Sequence, residues 1–226
     1  TLGCPAGQIT ATCAKVSASL LTNAMARPRQ ISDDQILTST RACVLEHGAR
    51  VSLDVVAESL GVTSPALLKR FGTREELMIH ALQPPVDPPW IAAMEAGPDG
   101  RPLQVQLTEH FLRMGAFFED AVPCVAALRE SGIPSEKFLD RKRGPERALR
   151  AIAAWLDAAA KAGLVHADSP ESTATAILGA LQMRAFTAHV VKVHFSSRST
   201  REYVDDLASL FARALAPVRR PTRKHV

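Results

Sequence analysis

Between Ser52 and Leu77 the punctuation of the chain leaves room for little except two short helices, a tight turn between them and the start of a third. Leu53, Val56, Ala57 and Leu60 recur at three- and four-residue spacing, which predicts one apolar helical face, with Asp54, Glu58 and Ser59 on the other side. Ser52 is placed to cap that helix. Gly61 follows the last apolar residue, where a chain leaving a helix often needs a positive φ that glycine adopts cheaply. Ser64 can then act as the next N-cap, with Pro65 at the first helical position, where its missing N–H costs nothing. Leu67 and Phe71, four apart, are expected to face the core with Val62, which leaves Lys69 and Arg70 outward. Gly72 stops this helix, and Thr73 with Glu76 has the capping-box spacing for the next.

A short helix with small polar residues at its N-terminus and basic ones further along suits the major groove of DNA. By caps and periodicity alone, the same stretch serves as well for an ordinary hairpin in an all-α core. Joined to the preceding helix, expected over 32–48 and ending Leu45-Glu46-His47-Gly48, it resembles the N-terminal domain of the tetracycline-repressor (TetR) family. The resemblance is carried by Val56-Ala57, by Gly61-Val62-Thr63 and by the run Leu67 to Leu77, and it spans 50 residues or so. It implies a helix-turn-helix that offers Ser52, Thr63, Ser64, Ala66, Leu68, Lys69, Arg70 and Arg74 to DNA. Three positions depart from the family pattern: Leu68 replaces a tyrosine that touches a phosphate, Arg70 a histidine and Arg74 a lysine. Without the tyrosine hydroxyl, Lys69 or Arg70 would have to supply that contact.

The 226 residues suffice for one or two domains with a sizeable core. Alanine is abundant, aromatics are few and alternating β-branched runs are nearly absent, so helix is expected throughout. The net charge of +4 is modest for a nucleic-acid binder, so placement matters more than the total. From 25 to 83 the basic and acidic residues balance. Arg27 and Arg29, however, sit in an N-terminal arm suited to a phosphate backbone or a minor groove, and Lys69, Arg70 and Arg74 surround the second helix of the motif. Residues 1–30 are expected to be a disordered extension and basic arm, with Met25 resembling a natural start, and 219–226 a basic tail. Cys4, Cys13, Cys43 and Cys124 form no CxxC pair, which fits a reduced cytoplasmic setting. No apolar run reaches the roughly 20 residues that span a bilayer, so no membrane partner is expected.

The first helix opens on Ser32-Asp33-Asp34-Gln35, a capping-box pattern, and places Ile36, Thr40, Val44 and His47 near one face. Helix-turn-helix domain 31–83 is expected to end at the prolines of 83–89, with a brief helix over 90–96 beyond them. Further helices are expected over 103–121, in a piece that Pro123 starts or kinks and that runs to about Ser131, over 145–162 with Gly163 closing it, over 170–193, and through Leu215 from a cap made by Ser199 with Glu202. No phosphate loop, nucleophile elbow, zinc-binding helix or paired-cysteine site occurs, Glu109 and His110 point apart as sequence neighbours, and Cys43 with His47 lacks a third ligand. Neither enzyme activity, nor a metal, nor a cofactor has support.

The fold class expected is all-α: an N-terminal three-helix helix-turn-helix domain and a C-terminal helical domain over 84–218 for ligand binding and dimerisation. Helices 170–193 and 200–215 have wide apolar faces and small residues that permit close approach. The family resemblance implies that they pair with their copies in a homodimer, which would read two half-sites of a pseudo-palindromic operator in double-stranded DNA. Phe111, Met114, Phe117 and Phe118, with Trp155, Met183 and Phe186, are candidates to line a pocket for a small-molecule effector, with His110, Arg184 and His189 as polar selectors. The same side chains also suit a plain core. The function expected is a sequence-specific regulator, a repressor released by its effector. Its alternatives are an effector-independent or activating regulator and a helical interaction module without DNA binding.

Overall fold

The capping signals around Gly61 translate directly into backbone geometry in a computed structural model of the protein, described for residues 31–139, 144–193 and 197–217. Helix α1 (Asp33–His47) precedes α2 (Leu53–Leu60), α3 (Ser64–Phe71) and α4 (Arg74–Leu82). Ser52 caps α2 by accepting from the Val55 N–H, and Gly61 leaves it at φ 66°. At the head of α4 the reciprocal box is complete: the Glu76 N–H donates to Thr73 Oγ1, and the Thr73 N–H donates back to the Glu76 carboxylate. Donation from the Thr73 N–H and then from its hydroxyl holds the Glu76 carboxyl below the usual carboxylate range.

The cap of α3 lies one residue earlier than the spacing predicts. Thr63 is the N-cap and makes no side-chain cap bond, while Ser64 belongs to the first turn. The Ser64 hydroxyl donates instead to the Asp54 carboxylate of α2, tying the two helices of the motif together across the turn. Leu67 is fully buried beneath α3, whereas Val62 and Phe71 are half-buried at its margins. On α1, Ile36, Thr40 and Val44 face inward as expected, but His47 stands exposed at the last turn.

Beyond α4 a strap of prolines leads to α5 (Pro89–Glu95) and then to α6 (Leu103–Glu130). Pro123 neither starts nor separates a new piece: α6 runs through it for 28 residues. A proline removes the N–H that would bond four residues back and crowds the carbonyl there, and burial of Ala121, Cys124, Ala127 and Leu128 on both sides offsets this within one continuous helix. A 3₁₀ turn (Ser135–Lys137) leads towards α7 (Pro145–Lys161), α8 (Pro170–Phe186) and α9 (Thr200–Ala214). The α-helical part of α8 stops at Phe186, short of the expected Val193, and gives way to a wider π turn over Thr187–Val191 that brings His189 against Glu119 of α6. The Ser199–Glu202 capping box opens α9 as expected.

Helix α6 is the axis of the arrangement. It touches α1 and α4 near one part of its length and α8 and α9 along the rest, while α7 packs on α8 and α5. The main core, built on Trp155, Phe111, Met114, Ile152 and Leu156, lies where these helices meet. Among the described residues no helix is long and apolar enough to cross a membrane, and no group of three or more His, Cys, Asp or Glu side chains is placed to hold a metal ion.

Candidate nucleic-acid interface and effector cavity

The turn at Gly61 sets α3 on the outside of the protein. Thr63, Pro65, Ala66, Lys69 and Arg70 are exposed along it, with Leu68 half-buried. The sequence pattern placed Lys69 and Arg70 outward, and that is where they stand. Arg70 makes an ion pair with Asp33 at the start of α1, and Ser64 is engaged by Asp54. Ser52, exposed at the N-terminus of α2, uses its hydroxyl as the cap. Arg27 and Arg29 lie outside the described residues.

Arg74 departs from the expected set. Its guanidinium turns inward and donates to the carbonyls of Ala49 at 2.7 Å and Val51 at 3.2 Å, bracing the loop between α1 and α2. A charged donor shared by two loop carbonyls is worth more to the fold than to a solvated phosphate contact. Arg74→Gln is therefore expected to destabilise the protein by about 1–3 kcal/mol, read as a lower melting temperature.

Besides the packing of α1 and α4 on α6, two polar contacts and the chain itself join these four helices to the rest of the protein. The Arg41 guanidinium donates to the Asp120 carbonyl of α6 at 3.0 Å, Lys137 meets Glu75 at 2.9 Å, and α4 runs straight into the strap of Gln83 to Pro88. That strap is one wall of a cavity of about 810 Å³, within the range of sites that hold drug-sized ligands. Phe117 and Phe118 of α6 and Phe186 of α8 form other walls, with Trp90, Ile91 and Val122. The rings pack on one another, Trp90 to Phe117 at 6.2 Å and Phe117 edge-on to Phe118 at 5.4 Å. The strap is held from outside by Arg147 of α7, whose guanidinium pairs with both Asp87 and Glu95.

Of the ten side chains the sequence offered for a pocket, Phe117, Phe118 and Phe186 line this cavity. Phe111, Met114 and Trp155 are fully buried core: Phe111 meets Phe211 edge-on at 5.9 Å, and Trp155 meets His110 at 5.4 Å. His110 is buried with them, and loss of solvent pushes its pKa down. Met183 points outward, 58% exposed. Arg184 lies over the Tyr203 ring at 4.8 Å and donates to the Arg198 carbonyl, and His189 sits 2.5 Å from Glu119. These three are committed elsewhere than the cavity. The strap prolines Pro84, Pro85 and Pro88, which sequence reasoning assigned to a boundary, and Trp90, expected in the brief helix beyond them, are lining residues. Only their apolar character, unusual for a linker, hinted at it.

Residues 134–217 match the family model of the AefR-like transcriptional repressor C-terminal domain. Among curated proteins none matches the chain. Among solved structures, a TetR transcriptional regulator from Streptomyces coelicolor is 23% identical, with 83% of this chain and 99% of that one covered at a TM-score of 0.52. A TetR/AcrR-family regulator from Thermobifida fusca is 21% identical, covering 83% and 98% at 0.60. PfmR, a TetR-family regulator from Thermus thermophilus, is 17% identical, covering 83% and 100% at 0.58. At such identities the likeness is one of fold, and it extends over nearly the whole of each relative, helix-turn-helix and body together. The repressor-domain match over 134–217 and a fold shared over nearly the whole chain make this protein similar to the TetR-family transcriptional regulators.

Proposed function

We propose that the protein is a sequence-specific repressor that binds a pseudo-palindromic operator as a homodimer and leaves it when a small molecule fills the cavity beside the proline strap. The observation that carries the DNA-binding part is the exposed ridge of α3, with Lys69 and Arg70 outward and Ala66 and Pro65 at its leading end. Small side chains let the helix approach base edges closely, and the two cations flank the phosphates. The match of 134–217 to a repressor's C-terminal domain favours repression over activation.

Pairing through α8 and α9 is supported by the apolar side chains these helices leave outside: Met183 and Phe186 on α8 and Leu210 on α9. A two-fold particle presents α3 twice, at a spacing that the operator must match. The effector part is supported by the continuity of α4 with the strap, since a ligand in the cavity pushes on the residues that follow directly from the DNA-binding helices. A ligand that favours a differently spaced state by about 1.4–2.7 kcal/mol changes operator affinity ten- to a hundredfold.

Selection of bound sequences from a random DNA pool tests this reading. The expected outcome is an inverted repeat with half-sites about one helical turn or more apart. Enrichment of no sequence, or of a single unrepeated site, contradicts it.

A further inference from the structure

From α5 to α9 the arginine side chains among the described residues are almost all engaged. Arg113 and Arg150 pair with glutamates of their own helices, Arg147 with Glu95, and Arg201 with Asp205. Arg184 is taken by the Tyr203 ring and Arg213 by Ser209. Arg129, in the last turn of α6, is the exception: among the described residues its guanidinium has no hydrogen-bond or ion-pair partner. Among the described residues it is also the one cation that lines the cavity. Glu130 reaches the same rim but is its immediate neighbour on the helix, so the two project about 100° apart and do not neutralise each other at one spot. The remaining polar lining groups, Gln83, Thr175 and Gln182, are uncharged, and the Thr175 hydroxyl is spent on the Glu171 carbonyl.

We propose that Arg129 selects the effector's chemistry: the cavity takes an apolar acid, with a carboxylate on the Arg129 guanidinium and an aliphatic or ringed body against Phe117, Phe118, Trp90 and Phe186. This rests on the reading of the cavity as the effector site and deepens it. Arg129 stands exposed at the cavity rim, and its guanidinium offers a planar fork that matches two carboxylate oxygens. The apolar body contributes affinity without regard to the head group, so the head alone decides between molecules with the same tail.

Decanoate, decan-1-ol and decylammonium share a tail and differ only in the head, and calorimetric titration at low salt compares them. The expected result is that decanoate binds about tenfold tighter than the alcohol, with a preference that shrinks at high salt. Arg129→Gln should bring decanoate down to the alcohol's level, and Arg129→Lys should keep part of the difference. Equal binding of acid and alcohol, tighter binding of the amine, or an acid preference that survives in Arg129→Gln overturns the inference and leaves the cavity as the effector site. If none of the three binds, or if all bind unchanged in a Val125→Trp variant that blocks the cavity and melts like the parent, the cavity reading fails as well, and the inference with it.

Discussion

Met183→Glu combined with Leu210→Glu yields a folded monomer that has lost operator affinity by roughly a hundredfold or more. Met183 is 58% and Leu210 52% exposed in the single chain, so neither side chain holds the monomer core together, and replacing them leaves the protomer intact. In a two-fold pairing of α8 and α9 each substitution occurs twice, and every glutamate must be desolvated against an apolar partner or keep the helices apart. Two half-sites bound together gain an effective local concentration that exceeds single-site affinity by about 10²–10⁴. Losing the pairing forfeits that gain. Sedimentation of the variant, circular dichroism to confirm its helices, and a gel-shift titration measure the three parts separately.

Trp155→Ala lowers stability by about 3–5 kcal/mol, and Phe118→Ala by only about 1 kcal/mol. Both positions belong to one set of aromatic residues in the sequence, but they stand in different surroundings. Trp155 is 1% exposed at the centre of the main core with His110 against its ring, so truncation leaves a void that the neighbouring helices cannot close. Phe118 is half-buried on the cavity wall, where an opening already exists. Thermal unfolding separates the two. The ligand response divides the other way, with Phe118→Ala weakening the binding of an apolar ligand and Trp155→Ala acting through stability alone.

The features legible in the sequence were those whose causes lie within three or four residues. Ser52, Thr73 with Glu76 and Ser199 with Glu202 cap the helices they were expected to cap, because a side-chain oxygen reaching the N–H three residues on is a local event. Gly61 and Gly163 leave their helices in the left-handed region for the same reason. Spacing also gave the outward direction of Lys69 and Arg70. It could not say that Arg74 would turn back to Ala49 and Val51, because those carbonyls lie more than twenty residues away. Nor could periodicity tell which apolar face meets what. Met114 and Met183 carry the same side chain, yet one is fully buried and the other faces solvent. The strap of prolines ends a helix by local rules, while its service as a cavity wall depends on α6 and α7 arriving from elsewhere in the chain.

The salt dependence of operator binding by the wild type, Lys69→Ala, Arg70→Ala and the double variant tests the claim about α3 most directly. Lys69 is exposed and without a partner among the described residues, and the ion pair that Arg70 makes with Asp33 is an exposed one, worth about 0–1 kcal/mol. Each single variant is expected to flatten the slope of log affinity against log salt by about 0.9, and the double variant by roughly twice that. Slopes and affinities unchanged from the wild type in all three variants would place the DNA on some other surface and contradict the account.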